Sequence, residues 1–268
     1  MKKVSNVQLK ARDTQSLEKR IVENVAAQEL DLSQWIFDGL KIENGSHVLE
    51  LCCGTGAQTF SFIKHVGNNG QIVALDISRE ALDKIASKLD ERELSKVVLI
   101  ESDMDRIEEA IADQGIKSPY FDLIFCAYGL YYSTNVEQVL ETLKRYLMPG
   151  GSMVVVGPFG PNNGPLFSIL KQSGVIIPEY VAFSSDRFMP DKVIPWAAVN
   201  FQKVAIRTVV NRIKWDSLSQ IMTYWTSSTF YSPDKHGAVE KSINNHFKKQ
   251  QYFINEKWIM MIEMTNAR

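Results

Sequence analysis

No stretch of this sequence is long and apolar enough to span a bilayer. Met1–Gln8 carries Lys2 and Lys3 but lacks the apolar run of a secretory leader, so a cytoplasmic location is expected. Cysteine is scarce. The three present are the adjacent Cys52 and Cys53 and the single Cys126, an odd number without metal-ligand spacing, so buried reduced thiols and no metal are expected. Excess positive charge is also missing. A formal net charge of -1 removes the electrostatic reason to propose nucleic acid or an anionic membrane as partner. What remains is a 268-residue chain, 45% hydrophobic, long enough to bury a large core in one or two domains, as monomer or homodimer.

The most informative stretch is Val48-Leu49-Glu50-Leu51-Cys52-Cys53-Gly54-Thr55-Gly56-Ala57. Its apolar start suits a parallel strand covered on both faces, and Gly54 and Gly56 allow a tight turn and close ligand approach. Ala57–His65 then has helical spacing. A strand, glycine turn and helix of this kind bind nucleotides at the carboxyl end of an open α/β sheet. Two nucleotide motifs fail on residues that are missing. The phosphate-binding loop needs Gly-Lys-Ser/Thr, which does not follow, and the dinucleotide fingerprint needs a third glycine where Thr59 stands, which disfavours an NAD-dependent oxidoreductase.

An acidic residue ahead of a short glycine turn resembles the first motif of the class I S-adenosylmethionine-dependent methyltransferases. Glu50, Gly54 and Gly56 match it, while Cys52 and Gln58 replace its first and last glycines. The resemblance extends through five ordered elements, from Ile42 to about Gly157. Gln71–Ser78 reads as a second strand ending in Asp76, twenty residues beyond Gly56, where the family places a carboxylate on the cofactor ribose. Ser78 is an N-cap candidate for a helix over Arg79–Leu89, and assisting that cap is the other reading of Asp76. Val97–Ile100 leads to Asp103 and Met104, which the resemblance sets against the adenine, with Asp105 as an equal alternative in register. Pro119–Cys126 matches the family's Phe-Asp strand, and Leu147-Met148-Pro149-Gly150-Gly151 its turn before a fifth strand. The resemblance thus implies S-adenosylmethionine as cofactor, bound by Glu50, Cys52, Gly54, Thr55, Gly56, Asp76, Ile77, Asp103, Met104 and Cys126.

The Asn/Asp/Ser-Pro-Pro-aromatic turn of enzymes that methylate nucleobase amines is absent. Ala127-Tyr128-Gly129-Leu130-Tyr131-Tyr132 stands in its place. The expected activity is therefore methyl transfer to an O, N or C atom of a small molecule. A protein or nucleic-acid methyltransferase and a non-catalytic S-adenosylmethionine-binding protein are the alternatives. Tyr128, Tyr131, Tyr132 and Trp225 are candidate acceptor walls, with at least two of the tyrosines expected to be ordinary half-buried packing. No catalytic residue is legible. His236, in an exposed turn, and Tyr131 are weak candidates, and a histidine that begins a helix is the blander reading of His236.

The expected fold is a doubly wound, mostly parallel seven-stranded α/β sheet with an antiparallel edge pair, Phe201–Trp215 and Tyr252–Met264. A single domain would comprise a helical cap over 1–41, a cofactor core over 42–157, and C-terminal strands with lid insertions over 158–268. The lid would draw on residues 1–40, 158–200 and 216–250, with helices at Leu166–Ser173, Leu218–Trp225 and Ala238–Phe247 and no clear period over 178–203.

Overall fold

The structure is a computed structural model that describes residues 13–266. The start of the expected N-terminal cap, residues 1–12, lies outside the described residues. Seven strands are present: β1 (His47–Leu51), β2 (Gln71–Asp76), β3 (Val97–Glu101), β4 (Phe121–Ala127), β5 (Leu147–Pro158), β6 (Lys203–Trp215) and β7 (Phe253–Thr265). They form one mixed sheet in the order β3-β2-β1-β4-β5-β7-β6, in which β7 runs antiparallel. The first five strands are parallel, with Leu51 opposite both Leu75 and Cys126 and Asp76 opposite Glu101. The carboxyl tips of β1, β2, β3 and β4 therefore end level. Because the chain runs outward from β1 in both directions, the gap between the β1 and β4 tips is the switch point of the sheet.

By chain contacts the molecule divides into two compact units. Of the described residues, the larger holds 36–157, 192–207 and 261–266, and the smaller holds 13–35, 158–191 and 208–260. In the larger unit Val48, Leu49, Leu51, Ile72, Val73 and Phe125 are fully buried, as expected for strands covered on both faces. Helix Thr59–His65 turns Phe62 inward to meet Phe125 and Phe37 edge-on, with ring centroids 5.2 and 5.0 Å away. Helix Val136–Tyr146 buries Val139, Leu140, Leu143 and Tyr146, at the spacing of one helical face. Asp122 of the Phe-Asp pair points away from the switch point, and its carboxylate accepts the backbone N–H of His47 at 2.8 Å. That bond pins the start of β1 to the start of β4.

The smaller unit has its own core, built from Leu166, Leu170, Ile213, Trp215, Ile221, Trp225, Val239, Ile243 and Phe253. Its helices include Thr14–Ala27, Gly164–Gln172, Leu218–Thr226 and His236–Phe247. Asn211 ties the chain start to β6, since its amide oxygen accepts from the Leu30 N–H and its NH2 donates to the Leu30 carbonyl.

Two local expectations change. Residues 148–151 do not form a free-standing turn but belong to β5, where Phe121 faces Leu147 and Leu123 faces Ser152. The three extra residues bulge out of the ladder. Gly150 at φ +80° makes the bulge sterically possible. Residues 178–203 are not irregular. They form helices Glu179–Asp186 and Ile194–Asn200 joined by a π-helical turn over Met189–Val193. Pro178 and Pro195 stand at their starts. Each is about two turns long, too short for a hydrophobic period to develop in sequence. Among the described residues, no helix is long and apolar enough to cross a membrane.

Candidate functional site

At the tip of β1 the chain enters a left-handed conformation at Cys52, φ +55°, and continues through Gly54 at +54° and Gly56 at +90°. Tyr128, at the tip of β4, has φ +56°. Two non-glycine residues in this region at neighbouring strand tips store backbone strain at the switch point, where such strain accompanies ligand sites. Cys52 tolerates the position because of Gly129. A Cβ built on Gly129 overlaps the Cβ and Sγ of Cys52 and lies 3.6 Å from Cys126 Sγ. The glycine missing from the β1 turn is thus supplied in space by the β4 turn.

Asp76 organises the turn. One carboxylate oxygen accepts the Gly54 N–H at 2.8 Å, and the other accepts the Ser78 N–H at 2.9 Å. Ser78 in turn caps helix Arg79–Ala86 by accepting from the Ala81 N–H. The capping assistance therefore exists, and the Ile77 N–H also acts on the carboxylate, which still has acceptor capacity. Burial pushes the Asp76 carboxyl above the usual aspartate range, against the lowering effect of its backbone hydrogen bonds.

Glu50 lies beneath the turn, 1% exposed, and accepts a hydrogen bond from the Thr59 hydroxyl at 2.6 Å. Its pKa is pushed up to about 8, first by burial; the Thr59 hydrogen bond opposes the shift and the charge of Asp76 adds to it. Glu50 is therefore neutral at pH 7 and acts as a buried hydrogen-bonding group rather than a full charge. Thr59, notable in the sequence only as an absent glycine, is its partner. Cys53 packs beside these carboxyls, and burial raises its thiol. Cys52 and Cys126 hydrogen-bond to each other, which together with burial pushes the Cys52 thiol up. All three cysteines are free, and among the described residues no group of side chains could hold a metal.

At the β3 tip the two aspartates separate by their partners. Asp105 is committed to the β4 side, accepting from the Ser133 hydroxyl and from both the N–H and hydroxyl of Thr134. Asp103 accepts only the Asp105 N–H, through one oxygen, among the described residues. Asp103 is thus the aspartate with capacity for a ligand. Met104 follows it, 8% exposed. Tyr128, Tyr131 and Tyr132 are half-buried, and the last two touch at a centroid distance of 4.8 Å. Thr55 and Ile77 are also half-buried beside the turn.

Two further candidates lie in the smaller unit. Trp225 is fully buried in its core, against Tyr231 and His236, so it serves as packing. His236 begins helix His236–Phe247, and its Nδ1 lies 2.8 Å from the Tyr231 hydroxyl.

The strand tips carry Glu50, Asp76, Asp103 and Asp105. The two arginines that follow them turn to their own helices, Arg79 to Asp83 and Arg106 to Glu109. Such a set of acidic tips offers acceptors, and among the described residues neither neighbouring arginine turns to it. It fits a ligand with hydroxyl donors and positive charge, and S-adenosylmethionine has both. A glycine turn and acidic tips at the switch point of this sheet define a Rossmann-like methyltransferase fold. Residues 42–195 match the family described as a methyltransferase domain, and the chain belongs to that family. A demethylmenaquinone methyltransferase of Lactobacillus johnsonii is 31% identical over 127 residues, 47% of this chain and 50% of that protein. The chain spans about half the length of the curated relatives it matches. Among solved structures, the YcgJ protein of Bacillus subtilis superposes with a TM-score of 0.60 at 12% identity, over 88% of this chain and 98% of that one. The Haemonchus contortus phosphoethanolamine N-methyltransferase 2, solved with phosphomonomethylethanolamine and S-adenosylhomocysteine, gives 0.61 at 12% identity, over 98% of this chain and 61% of that one.

Two outcomes follow from the turn. Gly129→Ala should destabilise the protein by about 1–3 kcal/mol, because a Cβ–Cβ overlap cannot be relieved by rotating a thiol. Cys52→Gly in the same chain should recover most of that loss. A double-mutant cycle of urea midpoints with no coupling between the two positions would refute the steric account. For Glu50 the sign is set by protons. Unfolded, it ionises near 4.5; folded, it holds its proton to about 8. The unfolded state binds fewer protons in that window, so stability falls as pH rises through it, by at most about 1.4 kcal/mol per pH unit. Glu50→Gln should flatten this slope, and an unchanged slope between about pH 5 and about pH 8 would show that the carboxyl ionises freely in the fold.

Proposed function

We propose that this chain transfers a methyl group from S-adenosylmethionine to a small-molecule acceptor. The observation that carries the reading is the acid-lined set of strand tips around a strained glycine turn, in a chain of the methyltransferase-domain family. The named acceptors of the relatives, demethylmenaquinone and phosphoethanolamine compounds, are small molecules, which supports the acceptor class.

In this reading Asp76 and Asp103 hold hydroxyl and amine donors of the cofactor. Gly54, Thr55 and Gly56 pass their backbone beside it, and Met104, Ile77 and Cys126 supply apolar contact. Glu50, Thr59 and Cys52 keep the turn in shape. When bound, S-adenosylmethionine supplies an electrophilic methyl group on a sulfonium. The protein's task is then to hold an acceptor in line at near-attack distance, which removes most of the entropic part of the barrier. Tyr128, Tyr131 and Tyr132 are the side chains proposed to position that acceptor.

The test combines calorimetry with a product screen. S-adenosylhomocysteine should bind saturably and NAD should not. Asp76→Ala should weaken S-adenosylhomocysteine by about 1.5–3 kcal/mol, the range for hydrogen bonds to a charged group. Labelled S-adenosylmethionine with pooled metabolites should yield a labelled small product, whereas labelled tRNA, DNA or peptide would reject the small-molecule reading. Failure of S-adenosylhomocysteine to bind would reject methyl transfer itself.

A further inference from the structure

The tip of β3 and the turn after β4 are joined through one side chain. Asp103 caps the short helical turn Met104–Arg106, its carboxylate accepting the Asp105 N–H at 3.0 Å and its carbonyl the Arg106 N–H at 2.9 Å. The Asp105 backbone is therefore fixed by the residue proposed above to hold a donor of the cofactor. The Asp105 carboxylate, in turn, crosses to the segment after β4. One oxygen accepts from the Ser133 hydroxyl, and the other accepts from the Thr134 N–H at 3.0 Å and from the Thr134 hydroxyl. Hydrogen bonds to a carboxylate are stronger than those between neutral groups, so this is the firm end of the connection.

The segment it holds carries the tyrosines proposed to position the acceptor. It leaves β4 with the Tyr128 N–H on the Val156 carbonyl, then closes the short helical turn Leu130–Tyr132, with the Tyr132 N–H on the Gly129 carbonyl and the Ser133 N–H on that of Leu130. The Ser133 hydroxyl donates to Asp105 and accepts the Asn135 N–H at 3.0 Å, and Asn135 caps helix Val136–Tyr146 through the Gln138 N–H. Asp105 thus grips the segment where it passes into the helix, directly after Tyr131 and Tyr132. Thr134 and Asn135 are exposed, so water competes for these bonds and the grip opens more easily than the buried strands do. All of these residues lie in the larger unit.

We propose that Asp105 is a positioning residue that couples the cofactor side of the site to the acceptor side. A ligand held at Asp103 steadies the Met104–Arg106 turn, and with it the carboxylate that orders Ser133 and Thr134. The turn bearing Tyr131 and Tyr132 is then most ordered in the cofactor-loaded protein, which is the form that receives the acceptor. Coupling of this kind is reciprocal, so loosening the tyrosine turn weakens the cofactor. The inference rests on the methyl-transfer reading.

The test is hydrogen exchange of the amides of residues 128–136, read by mass spectrometry on the full chain with and without S-adenosylhomocysteine. In the wild type the ligand should slow their exchange by about fivefold or more, the lower end of ordinary coupling between sites. Asp105→Ala should abolish that slowing and weaken S-adenosylhomocysteine by a similar factor in calorimetry. Asp105→Asn, which keeps one acceptor oxygen, should restore part of both. The double variant Ser133→Ala, Thr134→Val removes the two hydroxyl donors and leaves the Met104–Arg106 turn untouched, so it should also reduce both effects; it carries the same test if Asp105→Ala fails to fold. A purely structural Asp105 would instead speed exchange equally with and without the ligand. An unchanged ratio in the variants, or binding to the wild type without slowing at 128–136, would overturn the coupling and leave the methyl-transfer reading standing. A wild type that does not bind S-adenosylhomocysteine would overturn both.

Discussion

The larger unit's strand tips depend on one carboxylate. Asp76 ends β2 and reaches sideways to the Gly54 amide after β1 while holding Ser78, the cap of its own following helix. Those two bonds set where the glycine turn lies relative to the next helix, and the backbone there takes left-handed dihedrals that L-residues otherwise avoid. Strain of this kind persists only when neighbours over-determine it. Asp76 supplies that on one side, and the Cys52 contact with Gly129 supplies it on the other.

Beneath the turn, low dielectric decides the charge states. Burial first, and the charge of Asp76 with it, push the Glu50 carboxyl up to about 8, so it stays protonated at neutral pH and paired with Thr59. A second full charge in that position would lack a counter-ion among the described residues. The outcome is one carboxyl group bonded to the turn and one neutral carboxyl supporting it from beneath. At the next tip Asp105 is committed to Ser133 and Thr134, while Asp103 accepts through one oxygen only among the described residues.

The two units set different side chains on their cores. In the larger, the site residues are the ends of buried strands, so the packing of Val48 to Leu51 and Phe121 to Cys126 positions them directly. In the smaller, Tyr224 and Lys257 extend from a helix and a strand that share a core around Trp215 and Trp225. Asn163 fastens the start of the neighbouring helix to β7 through its own N–H and the Glu256 carbonyl.

Legible in the residues alone were the succession of the first five strands along the chain, the glycine turn, and the acidic residues that follow the strands. These are local matters. A strand with both faces covered needs a continuous apolar run, a left-handed turn needs glycine, and the register of a parallel sheet brings residues with similar places in each repeat to the same edge. Strands β2, β6 and β7 accordingly lie within two residues of their expected limits. Only the tertiary structure decided which aspartate after β3 is spent, that Thr59 holds Glu50, and that Gly129 makes room for Cys52. The same is true of the meeting of Tyr224 with Lys257, thirty-three residues apart. Each of those is a contact between residues that belong to different elements of the fold. A side chain's hydrogen-bond partner and its available volume are set by what the fold brings opposite it, and single-residue preference carries no record of that.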